Sequence, residues 1–332
     1  MAVFNNGGLN EFPPICDTDG NILNVSDGGI IFADGWYHWY GLALRPLPFG
    51  KNGSGGQVSD IGVVMYKSKD MTRWEYEGVI LPVGSVNDTY LKPPLRFERP
   101  KIIYNRNTGR YVLWCHFVAC PGDHGFTDGS AEAQVASCEN VSGEYRVEKI
   151  FRPIDRLGYV RDCSLFVDDD QSAYFIYDRQ VSTAFNPVLK PFERCLHAVK
   201  LTDDYLDATD EWARLDACDA REAPCMFRRN GIYYMITSGL TGWEYNEAAY
   251  YMSSHPAEDW KCMGNPCVGE GRETTFNSQP TQVTEIGGRL YLLCERHNTS
   301  NFLMCSHILL PLEFDGDGHI TIKYSKSVTI ET

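Results

Sequence analysis

The sequence has no long apolar run and no excess of basic charge, and both absences limit what the chain can do. No stretch approaches the ~20 consecutive apolar residues that a membrane-spanning helix needs. Acidic residues outnumber basic ones by 44 to 30, which gives a formal net charge of -14 at pH 7. Nucleic acids and anionic membrane surfaces are bound by basic clusters instead. We therefore expect neither nucleic acid nor membrane as a partner.

The first residues also lack the basic region and apolar run of a secretory signal peptide. The twelve cysteines include no Cys-x-x-Cys pair, and several lie in apolar, strand-like runs, where a reduced cysteine packs as a small apolar residue. Reduced thiols and a cytoplasmic location are expected. The DTDGN run at 17–21 lacks the glutamate that completes an EF-hand, so no metal is predicted there. No cofactor is predicted, and the sequence gives no indication of a structural ion in the central channel.

Helical periodicity is missing from every long segment of the chain. Hydrophobic residues make up 43% and aromatic residues 13% of the sequence. That composition supports a substantial core and favours β-strands, in which aromatic and β-branched residues are enriched. No linker divides the chain, so one domain over residues 1–332 is predicted. The sequence gives no indication of the oligomeric state.

One hairpin pattern recurs along the chain. In the unit that displays it best, the apolar run REAPCMF at 221–227 is followed by Asn230-Gly231 and by the strand-like run IYYMITS at 232–238. Asn-Gly between two apolar runs is a strong hairpin signal, because both residues tolerate the positive φ of a tight turn. Glu222 therefore lies at the mouth of a strand.

The same layout occurs four more times. In each unit a polar residue at the strand start is followed 8 to 11 positions later by a small turn residue, and successive turn residues are 57 to 74 positions apart. Five similar β units predict an all-β fold, a five-bladed β-propeller. The outer strands of the fifth unit are predicted over 302–306 and over 308–324, and the DGDG turn at 315–318 splits the second of these segments. The five polar residues are Asp27, Glu98, Asp162, Glu222 and Gln279.

Residues at equivalent innermost positions of a propeller converge on its axis, so these side chains should meet. Four carboxylates and one amide repel each other unless some pKa values rise or the site handles a polar ligand, and we interpret the set as an active site. Arg99 and Arg221 are expected to pair with the carboxylates, and Pro224 fits only a strand edge or a bulge. Trp243 is a candidate platform for a sugar ring, with Thr241 as its hydrogen-bonding neighbour; packing on the propeller face is the alternative for Trp243.

Several motifs give the chain a family resemblance over about residues 15 to 325. They are DTDGN at 17–21, FERPKIIYN at 97–105, RDCSLFVDDD at 161–170, REAPCMF at 221–227, TSGLTGW at 237–243, TFNSQ at 275–279 and LPL at 310–312. In this order and spacing they resemble the five-bladed propeller glycoside hydrolases of family 43. Within that family the resemblance is greatest to the branch that contains exo-β-1,3-galactanases.

The resemblance implies an inverting, exo-acting hydrolase that removes terminal sugars from plant-type oligosaccharides, with an exo-β-1,3-galactanase-like activity on arabinogalactan side chains as the expected function. By the general pattern of the family, Glu222 would be the general acid, Asp162 would orient it and tune its pKa, and Asp27 would be the general base. By the pattern of the galactanase branch, Gln279 and Glu98 would position the water instead.

Two departures from the galactanase branch leave the terminal sugar open. The sequence has DGGI at 27–30 where that branch typically has HGGGI, and CERHN at 294–298 where it has Asp-Arg-Trp. An α-L-arabinofuranosidase, a β-xylosidase or a galactofuranosidase is therefore an alternative. A glycoside phosphorylase would need a cluster of cationic residues around phosphate, which the sequence does not display. A carbohydrate-binding propeller without catalysis would not need a matched acid and base.

Overall fold

The structure is a computed structural model, and it describes residues 2–46, 57–82, 95–119, 130–182, 192–298 and 305–331. Strands dominate these residues, and a short 3-10 helix covers Arg272–Thr274. Within the described ranges, no helix is long and apolar enough to cross a bilayer.

The strands form five blades and one two-stranded ribbon. The ribbon pairs β1 (Ala2–Asn5) with β23 (Ser327–Ile330), and so joins the two ends of the chain. Blade I contains β2 (Ser26–Ala33), β3 (Trp36–Pro46), β4 (Gln57–Ser68) and β5 (Glu75–Pro82). Blade II contains β6 (Leu95–Asn105), β7 (Arg110–Ala119), β8 (Ser130–Cys138) and β9 (Arg146–Phe151). Blade III contains β10 (Gly158–Val167), β11 (Ala173–Ser182), β12 (Phe192–Leu201) and β13 (Ala208–Asp219).

The remaining two blades differ in their outer edges. Blade IV contains β14 (Arg221–Arg229), β15 (Ile232–Gly239), β16 (Ala249–Ser253) and β17 (Lys261–Gly264). Blade V contains β19 (Gln279–Ile286), β20 (Arg289–Arg296), β21 (Ser306–Phe314) and β22 (Ile320–Lys323), with β18 (Cys267–Val268) added in parallel to β22. In all five blades, the strands of the main meander run antiparallel in chain order.

The first strand of each blade is the innermost one. β2 contacts β6, β6 contacts β10, β10 contacts β14, β14 contacts β19, and β19 contacts β2 again. This closed ring of inner strands confirms the predicted five-bladed propeller, and it gathers the predicted site residues around one axis.

The hydrophobic core is divided among the five blade interfaces. Each of five buried clusters takes side chains from two neighbouring blades, and one of them joins blade V to blade I and to β1. A single four-stranded sheet would leave these faces exposed, so the blades stabilise one another by burying apolar area.

The inner hairpins follow the predicted turn chemistry. Asn230 and Gly231, the only residues between β14 and β15, have φ values of 50° and 80°. Asp34 and Gly35 have φ values of 52° and 78° in the same place of blade I. Positive φ at both positions is the geometry of the tight hairpin turn that matches strand twist.

The outer strands of blade V differ from the prediction. The third strand is the continuous β21 (Ser306–Phe314), where the sequence suggested a break before residue 308. Residues 302–304 of the predicted strand lie outside the described residues. Of the predicted run, Cys305 precedes β21 and Ser306 begins it.

Candidate active site

A β-bulge interrupts each of the five inner strands near its site residue. The pairing register shifts between Ser26 and Gly29, Glu98 and Lys101, Val160 and Cys163, Glu222 and Cys225, and Pro280 and Gln282. A bulge bends a strand and re-aims the neighbouring side chain, which is why bulges are common beside active sites. Pro224 lies in the fourth of these bulges, as predicted.

The bulge of blade I requires glycine. A Cβ on Gly28 would lie 1.7 Å from the carbonyl oxygen of Tyr40, so no larger residue fits there without a backbone shift. Asp27 itself has a φ of 56°. The Asp-Gly-Gly sequence thus allows the strand to approach β3 closely while it turns Asp27 toward the axis.

The bulges open onto one cleft with a volume of about 280 Å³. All five predicted carboxylate and amide residues line it, together with Trp243. The lining residues are Asp27, Glu98, Arg99, Arg161, Asp162, Gln180, Arg194, Glu222, Gly242, Trp243 and Gln279.

Glu222 is buried on the cleft wall, with only 5% of its surface exposed. Burial and the negative charge of Asp162 raise its pKa to about 8, although the positive charge of Arg194 acts in the opposite direction. Both effects follow from the higher cost of a carboxylate in a low-dielectric site near a like charge. Glu222 is therefore mostly protonated at neutral pH and can donate a proton.

Asp162 is held beside Glu222 by two contacts. Its Oδ2 lies 2.9 Å from Nε of the buried Arg99 and accepts a hydrogen bond of 3.1 Å from the backbone N–H of Ala223, the residue after Glu222. Arg99 also donates to Oε1 of Gln279 at 2.7 Å and to the carbonyl of Pro280 at 2.9 Å. The predicted pairing of Arg99 with an inner carboxylate is confirmed, and this guanidinium links three blades.

Asp27 lies on β2 of blade I, whereas Glu222 lies on β14 of blade IV. Asp27 is almost fully buried. Burial acts to raise its pKa, but the polar contact with His297 and the positive charge of Arg99 outweigh it, and the pKa lies below its ordinary value. Asp27 Oδ1 lies 3.8 Å from His297 Nε2, and neither atom has a hydrogen-bond partner within the described part of the chain. An ionised carboxylate with a free oxygen can accept a proton from water.

A buried lysine fixes the backbone around Asp27. Lys101 Nζ donates to the carbonyl oxygens of Asp27, Gly28 and Pro100 at 2.7, 3.1 and 3.2 Å. Burial lowers the pKa of Lys101 to about 8, and the positive charge of Arg99 adds to that effect. Lys101 joins the bulges of blades I and II.

Gln279 and Glu98 complete the inner ring. Gln279 Nε2 donates to Ser238 Oγ at 3.0 Å and to Glu222 Oε1 at 3.4 Å, while its own oxygen accepts from Arg99. Glu98 Oε2 lies 2.8 Å from His116 Nδ1. The amide oxygen of Gln279 is therefore occupied, whereas Asp27 has a free oxygen.

The remaining predicted residues, Trp243, Thr241 and Arg221, have different surroundings in the structure. Trp243 is half-buried in the cleft wall, with its ring 4.9 Å from that of His297 in an edge-to-face arrangement. Thr241 is exposed outside the cleft lining; its hydroxyl donates to the carbonyl of Glu244 at 2.6 Å and accepts from Asn246 Nδ2 at 2.6 Å. Arg221 donates to the hydroxyl and carbonyl of Thr237 and to the carbonyl of Glu247, so its expected pairing with a carboxylate is wrong.

Comparison with known proteins identifies the family. The profile described as "Glycosyl hydrolases family 43" matches residues 56–320. The chain belongs to glycosyl hydrolase family 43. Among curated proteins no sequence matches it.

Solved structures of this family resemble the chain over nearly its whole length. A family 43 β-1,3-galactosidase solved with galactodeoxynojirimycin is 30% identical, with a TM-score of 0.81, and the match covers 95% of this chain and 98% of that one. An exo-β-1,3-galactanase from Clostridium thermocellum is also 30% identical, with a TM-score of 0.78 and coverage of 99% and 67%. A second family 43 β-1,3-galactosidase is 25% identical, with a TM-score of 0.81 and coverage of 98% and 63%. The protein is a glycoside hydrolase.

Sequence reasoning missed several charged residues around this hydrolase's cleft, among them Asp178, Arg194 and Glu295. Asp178 on β11 and Arg194 on β12 form an ion pair, and Arg194 Nη2 also lies 3.2 Å from Glu222 Oε2. Glu295 on β20 is fully buried and accepts hydrogen bonds of 2.6 Å from Ser26 Oγ and the Asp27 backbone N–H. The available signal was a charged residue inside an apolar strand, which is costly unless it is paired.

Within the described part of the chain, one group of side chains could hold a cation, although the sequence predicted no metal. Ligand atoms of Asp27, Glu295 and His297 lie within 4.8 Å of one another, and all three residues are buried. The same atoms also suit an internal ion pair, because the negative charges of Glu295 and Asp27 outweigh burial and raise the pKa of His297. The unusual CERHN sequence at 294–298 supplies two of the three residues.

Proposed function

We propose that this family 43 hydrolase removes terminal β-1,3-linked galactose from oligosaccharides by inversion, as an exo-β-1,3-galactanase or β-1,3-galactosidase. The observation that carries the proposal is the convergence of Glu222, Asp162, Asp27, Gln279 and Glu98 on one cleft. The 30% identity to two proteins described as a β-1,3-galactosidase and an exo-β-1,3-galactanase supports galactose as the sugar.

In this proposal Glu222 donates its proton to the oxygen of the leaving sugar. A pKa of about 8 supports that role, because an acid catalyst at neutral pH must hold its proton until the bond breaks. Asp162 provides the like charge that raises the pKa, and its hydrogen bond with the Ala223 N–H supports a fixed position of the acid.

Asp27 then accepts the proton of a water that attacks the opposite face of the sugar. Its lowered pKa and its unpartnered Oδ1 support a general base that is ionised at neutral pH. Gln279, whose oxygen is taken by Arg99, holds the water or a sugar hydroxyl through its amide group. An inverting site needs room for this water between acid and base.

Exo action is supported by the size of the cleft. A volume of about 280 Å³ is near the lower limit for ligand sites and suits one sugar residue. Trp243 in its wall offers an apolar face for that sugar. Thr241 lies outside the lining, and its proposed contact with substrate requires a sugar bound beyond the cleft mouth.

One feature of the structure bears on the alternative of a glycoside phosphorylase, which would bind phosphate through cationic side chains. Three arginines line the cleft, although the sequence displayed no cationic cluster. Arg99 is paired with Asp162 and Gln279, and Arg194 with Asp178 and Glu222. Arg161 Nε donates to Gln180 Oε1 at 2.7 Å. This pairing favours hydrolysis over binding of phosphate.

The test is an activity screen of the purified protein on β-1,3-galactobiose and β-1,3-galactan, with and without phosphate. We expect release of galactose without phosphate, with the α-anomer appearing first in a proton NMR time course. Nitrophenyl α-L-arabinofuranoside, β-xyloside and β-galactofuranoside serve as competing substrates. Faster cleavage of any of these three, or a β-anomer as first product, would contradict the proposal.

We also propose that the protein acts in the cytoplasm on imported oligosaccharides. The eleven cysteines in the described residues all carry free thiols, which supports a reducing compartment. Fractionation of the source cells tests this, and recovery of the activity mainly outside the cell would contradict it.

A further inference from the structure

The two oxygens of Glu222 have different neighbours. Arg194 Nη2 lies 3.2 Å from Oε2, and Gln279 Nε2 lies 3.4 Å from Oε1. A guanidinium can only donate hydrogen bonds, so a proton on Oε2 would face another donor. The Gln279 amide also donates toward Oε1, but this contact is longer and its donor is uncharged, so Oε1 is held more weakly than Oε2. Oε1 is therefore the oxygen that can carry a proton into the cleft.

The charge of Arg194 is balanced from behind. Asp178 is fully buried outside the cleft lining, and its Oδ2 accepts from Arg194 Nε at 2.7 Å and from Nη2. Its Oδ1 is buried without a hydrogen-bond partner among the described residues. An unbalanced cation beside Glu222 would favour the carboxylate form of the acid. Within the described residues, the hydrogen bonds to Asp178 come from Arg194, and the positive charge of Arg161 also acts to lower the pKa of Asp178.

We propose that Arg194 and Asp178 are positioning residues for the acid: Arg194 holds Oε2 so that the proton lies on Oε1, and Asp178 prevents Arg194 from ionising Glu222. This inference rests on the proposed role of Glu222 as general acid. It adds two residues from the second and third strands of blade III to the machinery, neither of which belongs to an inner strand.

The charges that face Glu222 come from several strands. Asp162 on β10 and Asp178 on β11 raise its pKa, while Arg194 on β12 and Arg99 on β6 lower it; Gln279 on β19 is neutral. Burial raises the pKa of Asp178 to about 6 against the opposing charge of Arg194, so Asp178 is mostly ionised at pH 7. Removing one member of the pair therefore changes the charge near Glu222, whereas removing both changes it little.

The experiment measures the pH profile of kcat for Asp178→Asn, Arg194→Met and the double variant. The quantity compared is the alkaline limb, the pH range in which kcat falls as Glu222 loses its proton. In Asp178→Asn we expect the limb to move to lower pH by about one unit or more, which is ~10-fold in activity on the alkaline side. In Arg194→Met it should move to higher pH. In the double variant it should return close to that of the wild type, with kcat on poor leaving groups still reduced because Oε2 is no longer held.

Asp155→Asn is the matched control. Asp155 pairs with Arg179 on the same blade, outside the cleft lining, and its loss removes the same charge. We expect no movement of the limb. A limb that stays in place in Asp178→Asn and Arg194→Met, or moves in the same direction in both, would overturn the proposal. If Asp178→Asn does not fold, an alkaline movement in Arg194→Met that the double variant reverses supports the pair, and its absence refutes it.

An infrared titration of the buried carboxyl separates this inference from the proposed substrate. Wild-type and variant spectra are referenced to Glu222→Gln, so that the pKa of Glu222 is measured without any sugar. If the wild type releases no galactose, the proposed function fails, yet the opposite pKa changes in the two single variants still support the pair. If the wild type releases galactose but the pKa of Glu222 is the same in both single variants as in the wild type, the role of Arg194 and Asp178 is refuted and the proposed function stands.

Discussion

Glu222→Gln should make the folded protein more stable than the wild type at alkaline pH. The folded-state pKa of Glu222 is about 8, against an ordinary value of 4.5. Between these values the folded chain binds more protons than the unfolded chain, so the free energy of unfolding falls as pH rises. The contribution of Glu222 is fully present below about pH 4.5 and lost by about pH 8. Glutamine carries no proton to lose, so the variant lacks this dependence.

The size of the effect follows from the width of the window. A pKa difference of one unit corresponds to about 1.4 kcal/mol, so the change from 4.5 to about 8 gives an upper limit of about 5 kcal/mol. Above pH 8 we expect the free energy of unfolding of Glu222→Gln to exceed that of the wild type by about 3–5 kcal/mol. Only 5% of the Glu222 surface is exposed, so solvent screening removes little of it. The two proteins should have nearly equal stability at about pH 5 or below.

Urea denaturation of both proteins at several pH values between about 4.5 and 9 provides the measurement, because other titrating groups cancel in the difference. Glu285→Gln, which removes an exposed glutamate of β19, is the control and should follow the wild type. Parallel stability curves for wild type and Glu222→Gln, or a less stable variant at pH 9, would refute the reasoning.

The same variant tests the catalytic role. A pKa of about 8 leaves Glu222 about 90% protonated at pH 7, whereas an ordinary glutamate would be about 0.3% protonated. Glu222→Gln should lower turnover by ~10²–10⁴-fold on substrates with poor leaving groups and much less with activated aryl leaving groups. Equal losses on both substrate types would exclude Glu222 as the acid.

Three further variants test other parts of the site. Asp27→Ala should nearly abolish hydrolysis, with partial rescue by azide as an inverted glycosyl azide, while Gln279→Ala should cost about 1–3 kcal/mol in kcat/KM; the reverse order would make Gln279 the water-activating residue. Trp243→Ala should raise KM with little change in kcat if the ring stacks on the sugar, and a lower Tm with unchanged kinetics would assign it to packing. Lys101→Met should lower the free energy of unfolding by about 2–4 kcal/mol, because it leaves buried carbonyls without a donor; an unchanged denaturation midpoint contradicts that expectation.

The convergence of the inner residues was predictable because it depends on local and repeated features. Turns such as Asn230-Gly231 need residues that tolerate positive φ, and these are visible in the sequence. The repeat placed Asp27 and Glu222 at equivalent strand starts, and propeller symmetry then required them to approach the same axis. The fold and the ring of polar residues therefore followed from turn chemistry and from the spacing of the repeat.

Tertiary structure alone decided what surrounds that ring. Asp178 and Arg194 lie on the second and third strands of blade III, and Glu295 lies on the second strand of blade V. For these strands the alternation of side chains predicts only which face of the sheet a residue occupies, not which residue it contacts. Five bulges re-aim the inner strands, and a bulge depends on how two strands pair, which a single strand does not encode. Arg221 illustrates the difference: its neighbour Glu222 points into the cleft, whereas Arg221 itself bonds to Thr237 on the adjacent strand. The pairing of charged side chains was therefore set by the register between strands and by the closure of the five blades into a ring.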